Sequence, residues 1–508
     1  MPRVQLLSGP YQSRSVISSA QRSTNLFPEK NGDPQSPTAV THYPTPGLSS
    51  YAAPPIYAGA RGMYTASNGD LYVVLGNQLF SIASDATMTL VGTVADRTTP
   101  VSMADNGLAL VLVDGSSQGY AVDLDTQAFS RIQDPNFLGA DRVAYLDTYF
   151  CFNQPGTNKF FISLSNASFA MLSTATAGSA FDSLDLAAKT GSPDNILALI
   201  AVHSQIWLIG ALSTEIWYNS GASDFTFERQ PGAFIEHGCV APYSVAKQDV
   251  SVFWLSRDRE GQGLVIQGSG YDVQRISTHA IEADIQSYKR VDDAVGFCYQ
   301  QEGHAFYVLT FPTADKTWAY ELKTGQWHEL AWTDNSGSLH RHRAGFCAFA
   351  YGKNLVLDWQ NGTVMQLDPQ AFTDMGAPIV RIRTLPHVIS DGRRVSCNRL
   401  VIDLQTGTMS SVYNQQTIRE DFDASFSFDF GRITRGAQSR IFVRWSDDRG
   451  ATFGNAISQD IGGAGDYARS LVFHRLGMSR DRVFEISWSS PLPTALNGAF
   501  LDTTVHGS

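Results

Sequence analysis

Ser446-x-Asp448-x-Gly450-x-Thr452-Phe453 is the most specific short pattern in the chain, an Asp-box. An aspartate at the second of these positions can accept backbone N–H groups within its own loop, the glycine admits positive φ, and the aromatic packs beneath the turn. Asp-boxes decorate sialidases and other sugar-processing propellers, so the pattern raises glycoside hydrolysis as a chemistry. In those proteins, though, the box is a structural turn away from the active site. The box is therefore read as a structural turn. A retaining glycosidase further needs two carboxyl groups about 5 Å apart flanking the sugar. Glu215, Glu236, Glu282 and Asp358 are the acids weighed for such a role, and each reads as a loop or turn residue.

Other chemistries find less support. The eleven histidines form no His-Glu-x-x-His motif, and His340-Arg341-His342-Arg343 follows the loop Asp334–Ser338, which reads as a solvated loop. The five cysteines are widely spaced with no Cys-x-x-Cys, which argues against a disulfide framework or a zinc site. Cys151, Cys298 and Cys347 lie inside aromatic strand runs and read as small buried side chains. No glycine-rich phosphate loop precedes a helix, and Gly-x-Ser-x-Gly has no strand-to-helix setting. The expectation is no catalytic residue, no metal and no cofactor.

The elements that carry these residues are short strands. Ala305–Phe311 is an apolar run of strand length, Trp318, Tyr320 and Leu322 alternate with polar neighbours, and Lys323-Thr324-Gly325 supplies a turn before Trp327. The unit recurs. Gly296-Phe297-Cys298 returns as Gly345-Phe346-Cys347, and the spacing Leu322 to Trp327 returns as Leu367 to Phe372 and Leu124 to Phe129. A period of about 45–50 residues with roughly four strands matches a propeller blade. Further candidate blades are Arg61–Val91, Val101–Ile132, Arg142–Leu164, Ile196–Phe227 and Tyr243–Ile276, with Ser165–Ala180 as a loop or insertion in the third. The expected helix is one short surface element capped at Ser277 or Thr278, with Ile281, Ile285 and Tyr288 on one face.

Three segments follow. Residues 1–58 are proline-rich and read as an extended arm, anchored by Leu26, Phe27, Tyr43 and Tyr51 on the β module or on a neighbouring subunit. Residues 59–375 form a β-propeller of six or seven blades. Residues 376–508 form a β-sandwich-like module, with strands at Val395–Asp403, Ile441–Trp445, Arg469–Phe473 and Val483–Trp488, and an alternating strand from Phe422 to Phe430. The class is all-β. No apolar run reaches the roughly 18 residues of a membrane span, so no membrane insertion is expected; the first residues lack the apolar core of a secretory signal. The net charge of −11 argues against gripping DNA through its phosphates.

Taken in order, several stretches resemble the packaged-DNA stabilisation proteins of short-tailed phages, also called tail accessory or tail nozzle proteins. They are Thr24–Glu29, Tyr43–Leu48, Glu215–Gly221, Ile235–Gly238, Phe253–Leu255, Arg275–Thr278, Phe311–Thr313, Thr317-Trp318, Ser446–Phe453 and Leu476–Arg482. The resemblance implies a virion structural protein of the tail, assembled in the host cytoplasm. It implies six copies in a ring that continues and closes the DNA channel below portal and adaptor and docks fibres or spikes. It brings no catalytic residue. An acidic lining would let packaged double-stranded DNA slide without sequence-specific binding. The alternative is a propeller glycosidase or carbohydrate-binding tail protein.

Overall fold

The computed structural model describes residues 3–15, 17–32, 38–257, 261, 263–406, 439–462, 466–467 and 469–506. The expected strand from Phe422 to Phe430 lies outside them. The chain is nearly all β and falls into two compact units. One comprises residues 50–315 and 343–366; the other comprises residues 1–49, 316–342 and 367–508.

The first unit is a β-propeller. Five complete four-stranded antiparallel sheets follow the chain, spanning Ala60–Thr93, Ser102–Arg131, Val143–Ala188, Ile196–Ile235 and Ala246–Arg275. The strands Val295–Gln301 with His304–Phe311, and Ala344–Ala350 with Lys353–Asp358 and Val364–Asp368, complete the circuit. Central strands such as Ala109–Val113 and Leu71–Leu75 are buried throughout, because each blade has a neighbour on both faces. Apolar side chains interleave from blade to blade. Tyr72, Val74 and Leu79 pack on Leu110, Leu112 and Val122, while Val111 and Val113 on the other face pack on Phe150, Phe152 and Phe161. The circuit closes where Leu71, Val73 and Leu75 meet Leu355, Leu357 and Val364. Close approach needs small residues: a Cβ on Gly296 would lie 2.5 Å from the Ser244 carbonyl oxygen.

The third blade carries the expected insertion. It contains a short helix, Phe169–Leu172, capped by Ser168, before the blade resumes at Leu186–Ala188. The other helix, His279–Ser287, has Thr278 as its N-cap and buries Ile281 and Ile285, at the spacing the sequence indicated.

The second unit is a two-sheet sandwich. One sheet runs in the order Leu26–Lys30, Val40–Pro44, Leu496–Val505, Val395–Leu404 and Leu471–His474; Arg3–Gln5 and Met478–Ser479 add to it. The other includes Lys316–Glu321, Gln326–Glu329, Ser23–Thr24, Arg381–Thr384, Asp481–Trp488, Arg440–Ser446 and Ile457–Asp460. Leu26, Leu400, Ile402, Val443, Phe484, Trp488 and Leu501 fill the space between them. The proline-rich N-terminal residues here are paired strands. Pro28 fits because Leu26–Lys30 is the outermost strand of its sheet. These units are drawn differently from the consecutive segments 1–58, 59–375 and 376–508, because backbone pairing draws strands from far-separated stretches into one sandwich.

Candidate functional site

In the Asp-box, Asp448 organises a tight loop between Arg440–Ser446 and Ile457–Asp460. Its carboxylate accepts the Thr452 N–H at 2.9 Å and the hydroxyls of Thr452 at 2.6 Å and Ser446 at 2.5 Å. The Gly450 N–H donates to the Ser446 hydroxyl oxygen at 2.7 Å. Arg449 and Gly450 both take positive φ, 64° and 91°. The hydroxyl donors from Ser446 and Thr452, followed by the Thr452 N–H, pull the exposed Asp448 carboxyl down to about 2. The Arg444 guanidinium lies 5.0 Å over the Phe453 ring. Every donor is spent inside the turn, which leaves Asp448 no proton to move near neutral pH.

The other acids are held by cations and N–H groups. Glu215 is fully buried, accepts the Trp217 ring N–H at 3.0 Å and the Gly191 N–H, and has Arg229 at 3.9 Å. Glu282 is clamped by Arg275 and by the Ser277 hydroxyl at 2.6 Å. Asp358 is buried against Arg343 and accepts the Gln360 N–H at 2.9 Å. Glu236 lies exposed beyond the end of Phe227–Ile235. Glu215 lies on the strand Thr214–Asn219, Glu282 on the helix His279–Ser287 and Asp358 at the end of the strand Lys353–Asp358. His340 rests 3.3 Å from Asp334, whose carboxylate also gathers Ser336 and Ser338 into a surface hairpin turn. His342 is buried, its N–H donating to the Thr317 hydroxyl at 3.1 Å. Among the described residues, no group of three or more His, Cys, Asp or Glu is arranged to hold a metal ion.

The cysteines are free thiols. Burial pushes those of Cys239 and Cys347 up to about 12, and that of Cys151 higher still.

Three polar centres were not legible as motifs. In the propeller, Asp134 receives the N–H groups of Ala180 at 2.7 Å, Phe181 at 2.9 Å, Asn136 at 3.0 Å and Gly178 at 3.2 Å, and so ties down the third-blade insertion. Also there, buried Lys189 reaches Asp194 at 2.6 Å and the Ser213 carbonyl at 2.8 Å. Burial pushes the Asp194 carboxyl up, but bonds from Lys189 and the Leu212 N–H outweigh it and hold it near 2. In the sandwich unit, Asn25 takes φ of 55° and joins three strands. Its amide donates to the carbonyls of Ala331 at 2.8 Å and Val380 at 2.9 Å and accepts the Ala331 N–H at 2.8 Å. Beside it, Glu329 accepts Arg22 at 2.7 Å, Lys316 at 2.7 Å and the Thr24 hydroxyl at 3.0 Å. Arg383, fully buried, donates to the carbonyls of Ser8, Gly9, Arg22 and Thr384. Thr24 and Asn25 open one of the stretches behind the family resemblance; no spacing rule marks them as the knot.

These contacts tie segments of the chain together within a β-propeller and a β-sandwich. Two family models match in succession: bacteriophage P22 Gp10, β-propeller, over residues 2–372, and bacteriophage P22 Gp10, β-sandwich, over residues 381–504. The chain belongs to the bacteriophage P22 Gp10 family and is a phage tail structural protein. No curated protein matches the sequence. Among solved structures, the extracellular domain of BT4673 from B. thetaiotaomicron is similar at 11% identity and a TM-score of 0.42, over 63% of this chain and 39% of that one. This chain thus spans about two fifths of that relative. A streptogramin B lyase is similar at 10% identity and 0.41, over 63% of this chain and 96% of the other. The WD40 β-propeller domain of Doa1 is similar at 11% and 0.37, with the same coverages.

Proposed function

We propose that this protein is the nozzle of a short phage tail. Six copies form a ring that continues the DNA channel below the portal and the adaptor, retains the packaged double-stranded DNA and docks fibres or spikes. The observation that carries this reading is the consecutive match of both family models over almost the entire chain. The physical build agrees with it. A closed circuit of interleaved blades is stiff, and its loops supply docking surfaces. Six identical chains meeting head to tail around an axis need no catalytic pocket. DNA passes without sequence-specific contacts, since the net charge of −11 disfavours adhesion to phosphates. We assign no catalytic role to Glu215, Glu282 or Asp358, because each is already committed to a cation or an N–H donor. The Asp-box residues Ser446, Asp448, Gly450, Thr452 and Phe453 act in this reading as a structural turn.

The test is mass photometry and negative-stain imaging of the purified protein, alone and with its adaptor ring. A sixfold ring is expected, with the adaptor as template. A chain that stays monomeric at high concentration with the adaptor present contradicts the proposal. Release of sugar from host surface polysaccharide would point instead to the glycosidase.

A further inference from the structure

One end of the sandwich gathers positive charge in an otherwise acidic protein. Backbone pairing does the gathering. The strand Val395–Leu404 pairs at Ser396 with Met478 on one side and with Thr504 on the other. The Arg475 N–H donates to the Asn398 carbonyl at 3.3 Å, and the Arg480 guanidinium donates to the Gly392 carbonyl at 3.4 Å. Arg393, Arg394, Arg475 and Arg480 are thereby brought to one edge, and all four are exposed. Asp391 lies 3.6 Å from Arg393. The Arg394 and Arg475 guanidiniums make no hydrogen bond or ion pair with any described residue. In the same unit Arg399 pairs with Asp502 at 2.7 Å, Arg444 with Glu485 at 2.5 Å and Arg482 with Asp447 at 2.6 Å.

Apolar surface lies in the same place. Met478 is 47% exposed and flanks a cleft that Ser396, Asn398 and Arg475 help to line. Ile389, 56% exposed, pairs with Asp481, the residue after Arg480. Unpaired guanidiniums next to exposed aliphatic side chains are the composition of an interface that has not yet met its partner.

We propose that this face docks an acidic polypeptide segment of another chain, one that carries aliphatic side chains between its carboxylates. Guanidinium groups bind carboxylates in bidentate pairs, and Met478 and Ile389 supply the apolar contact that fixes such a segment. A DNA backbone fits less well, because phosphate contacts leave Met478 and Ile389 without a partner. The proposal does not depend on the sixfold ring.

The test uses the full chain and three fluorescein-labelled probes: a short Glu/Leu peptide, its Lys/Leu counterpart and a short DNA duplex. Fluorescence anisotropy should show the Glu/Leu peptide binding at least about tenfold more tightly than the Lys/Leu peptide. The double variant R394E/R475E should lose about tenfold or more of that affinity. M478S should lose less. R290E, a change in the propeller at an arginine paired with Asp292 at 2.6 Å, should leave binding unchanged. Unaltered thermal melts establish that the variants fold; if the double variant does not, R475Q and M478S carry the test. Equal binding of the two peptides, or binding indifferent to R394E/R475E, overturns the proposal. Tighter duplex binding that R394E/R475E removes would overturn it in favour of nucleic acid. Self-association lost in that variant, with no peptide binding, would overturn it in favour of a second copy of the chain.

Discussion

The propeller and the sandwich unit are both all-β, yet they are held together in different ways. Most propeller strands pair with the next strand along the chain, across turns such as Leu75 to Gln78 and Val202 to Gln205, while Val364–Asp368 pairs with the distant Gly47–Ala52. The sandwich unit is tied by contacts between segments 307 residues apart at Arg22–Glu329 and 355 apart at Asn25–Val380. The propeller core is mainly apolar interleaving. In the sandwich unit, buried cations and histidines gather where distant strands meet: Arg381, Arg383, His42 and His328 are all at most 1% exposed. Local pairing costs little loop-closure entropy, whereas long-range pairing pays it before any contact forms. Pairing in the propeller is therefore mostly local, and the sandwich is expected to depend more heavily on residues 1–46.

Deleting residues 1–46 tests this most severely. We expect hydrogen exchange to show the strands Val395–Leu404 and Leu496–Val505 falling to loop-like protection while Ala109–Val113 stays protected, and ring assembly to fail. If Ala109–Val113 lost its protection too, the two units would not be separable in this way.

Next in size is Arg383→Ala, which removes the donor held by the carbonyls of Ser8, Gly9, Arg22 and Thr384. The cost in urea unfolding of the sandwich unit should be about 3 kcal/mol or more, since several carbonyls lose a donor at about 1–3 kcal/mol each. Unfolding of the propeller should be unmoved.

Acid provides a third contrast. Burial holds the His328 imidazole down to about 4 and that of His42 well below its ordinary value, with the Arg383 charge a further cause at His42. Below the ordinary value of 6.5 the unfolded chain takes up protons that the folded one refuses. Stability therefore falls as pH drops from 6.5 toward 4, by about 3 kcal/mol for His328 alone, and levels off below. His328→Phe should flatten that slope, read as the melting temperature of the sandwich unit against pH. An unchanged slope in this variant would remove His328 from the account.

Smaller effects sharpen the propeller side. Asp134→Ala leaves four N–H groups without their acceptor and should cost about 1–3 kcal/mol, seen as faster exchange across Gly178–Phe181. Asp448→Ala should lower the melting temperature least of all, because its turn is solvent-exposed.

What could be read from sequence follows the same division. Propeller strands announce themselves as short apolar runs, as at Ala305–Phe311, which lies in the strand His304–Phe311 paired with Val295–Gln301. The helix after Thr278 was legible from its cap and the Ile281–Ile285 spacing. The paired N-terminal strands were not, because their prolines mask strand propensity and their partners lie hundreds of residues away. The basic edge of the sandwich was equally hidden. Arg394 and Arg475 are 81 positions apart in sequence, and only backbone pairing brings Arg475 beside Asn398, near the start of the strand that Arg394 precedes. Asp134 belongs to no motif, and only the fold brings the N–H groups of Gly178, Ala180 and Phe181 onto its carboxylate.

The central claim is that stacked blades and a knotted sandwich make a ring component rather than an enzyme. Cryo-electron microscopy of the intact virion tail tests it most directly. The account predicts six copies of this fold around the channel below the adaptor. A tail in which this chain sits as a single copy, or off the channel axis, would contradict it.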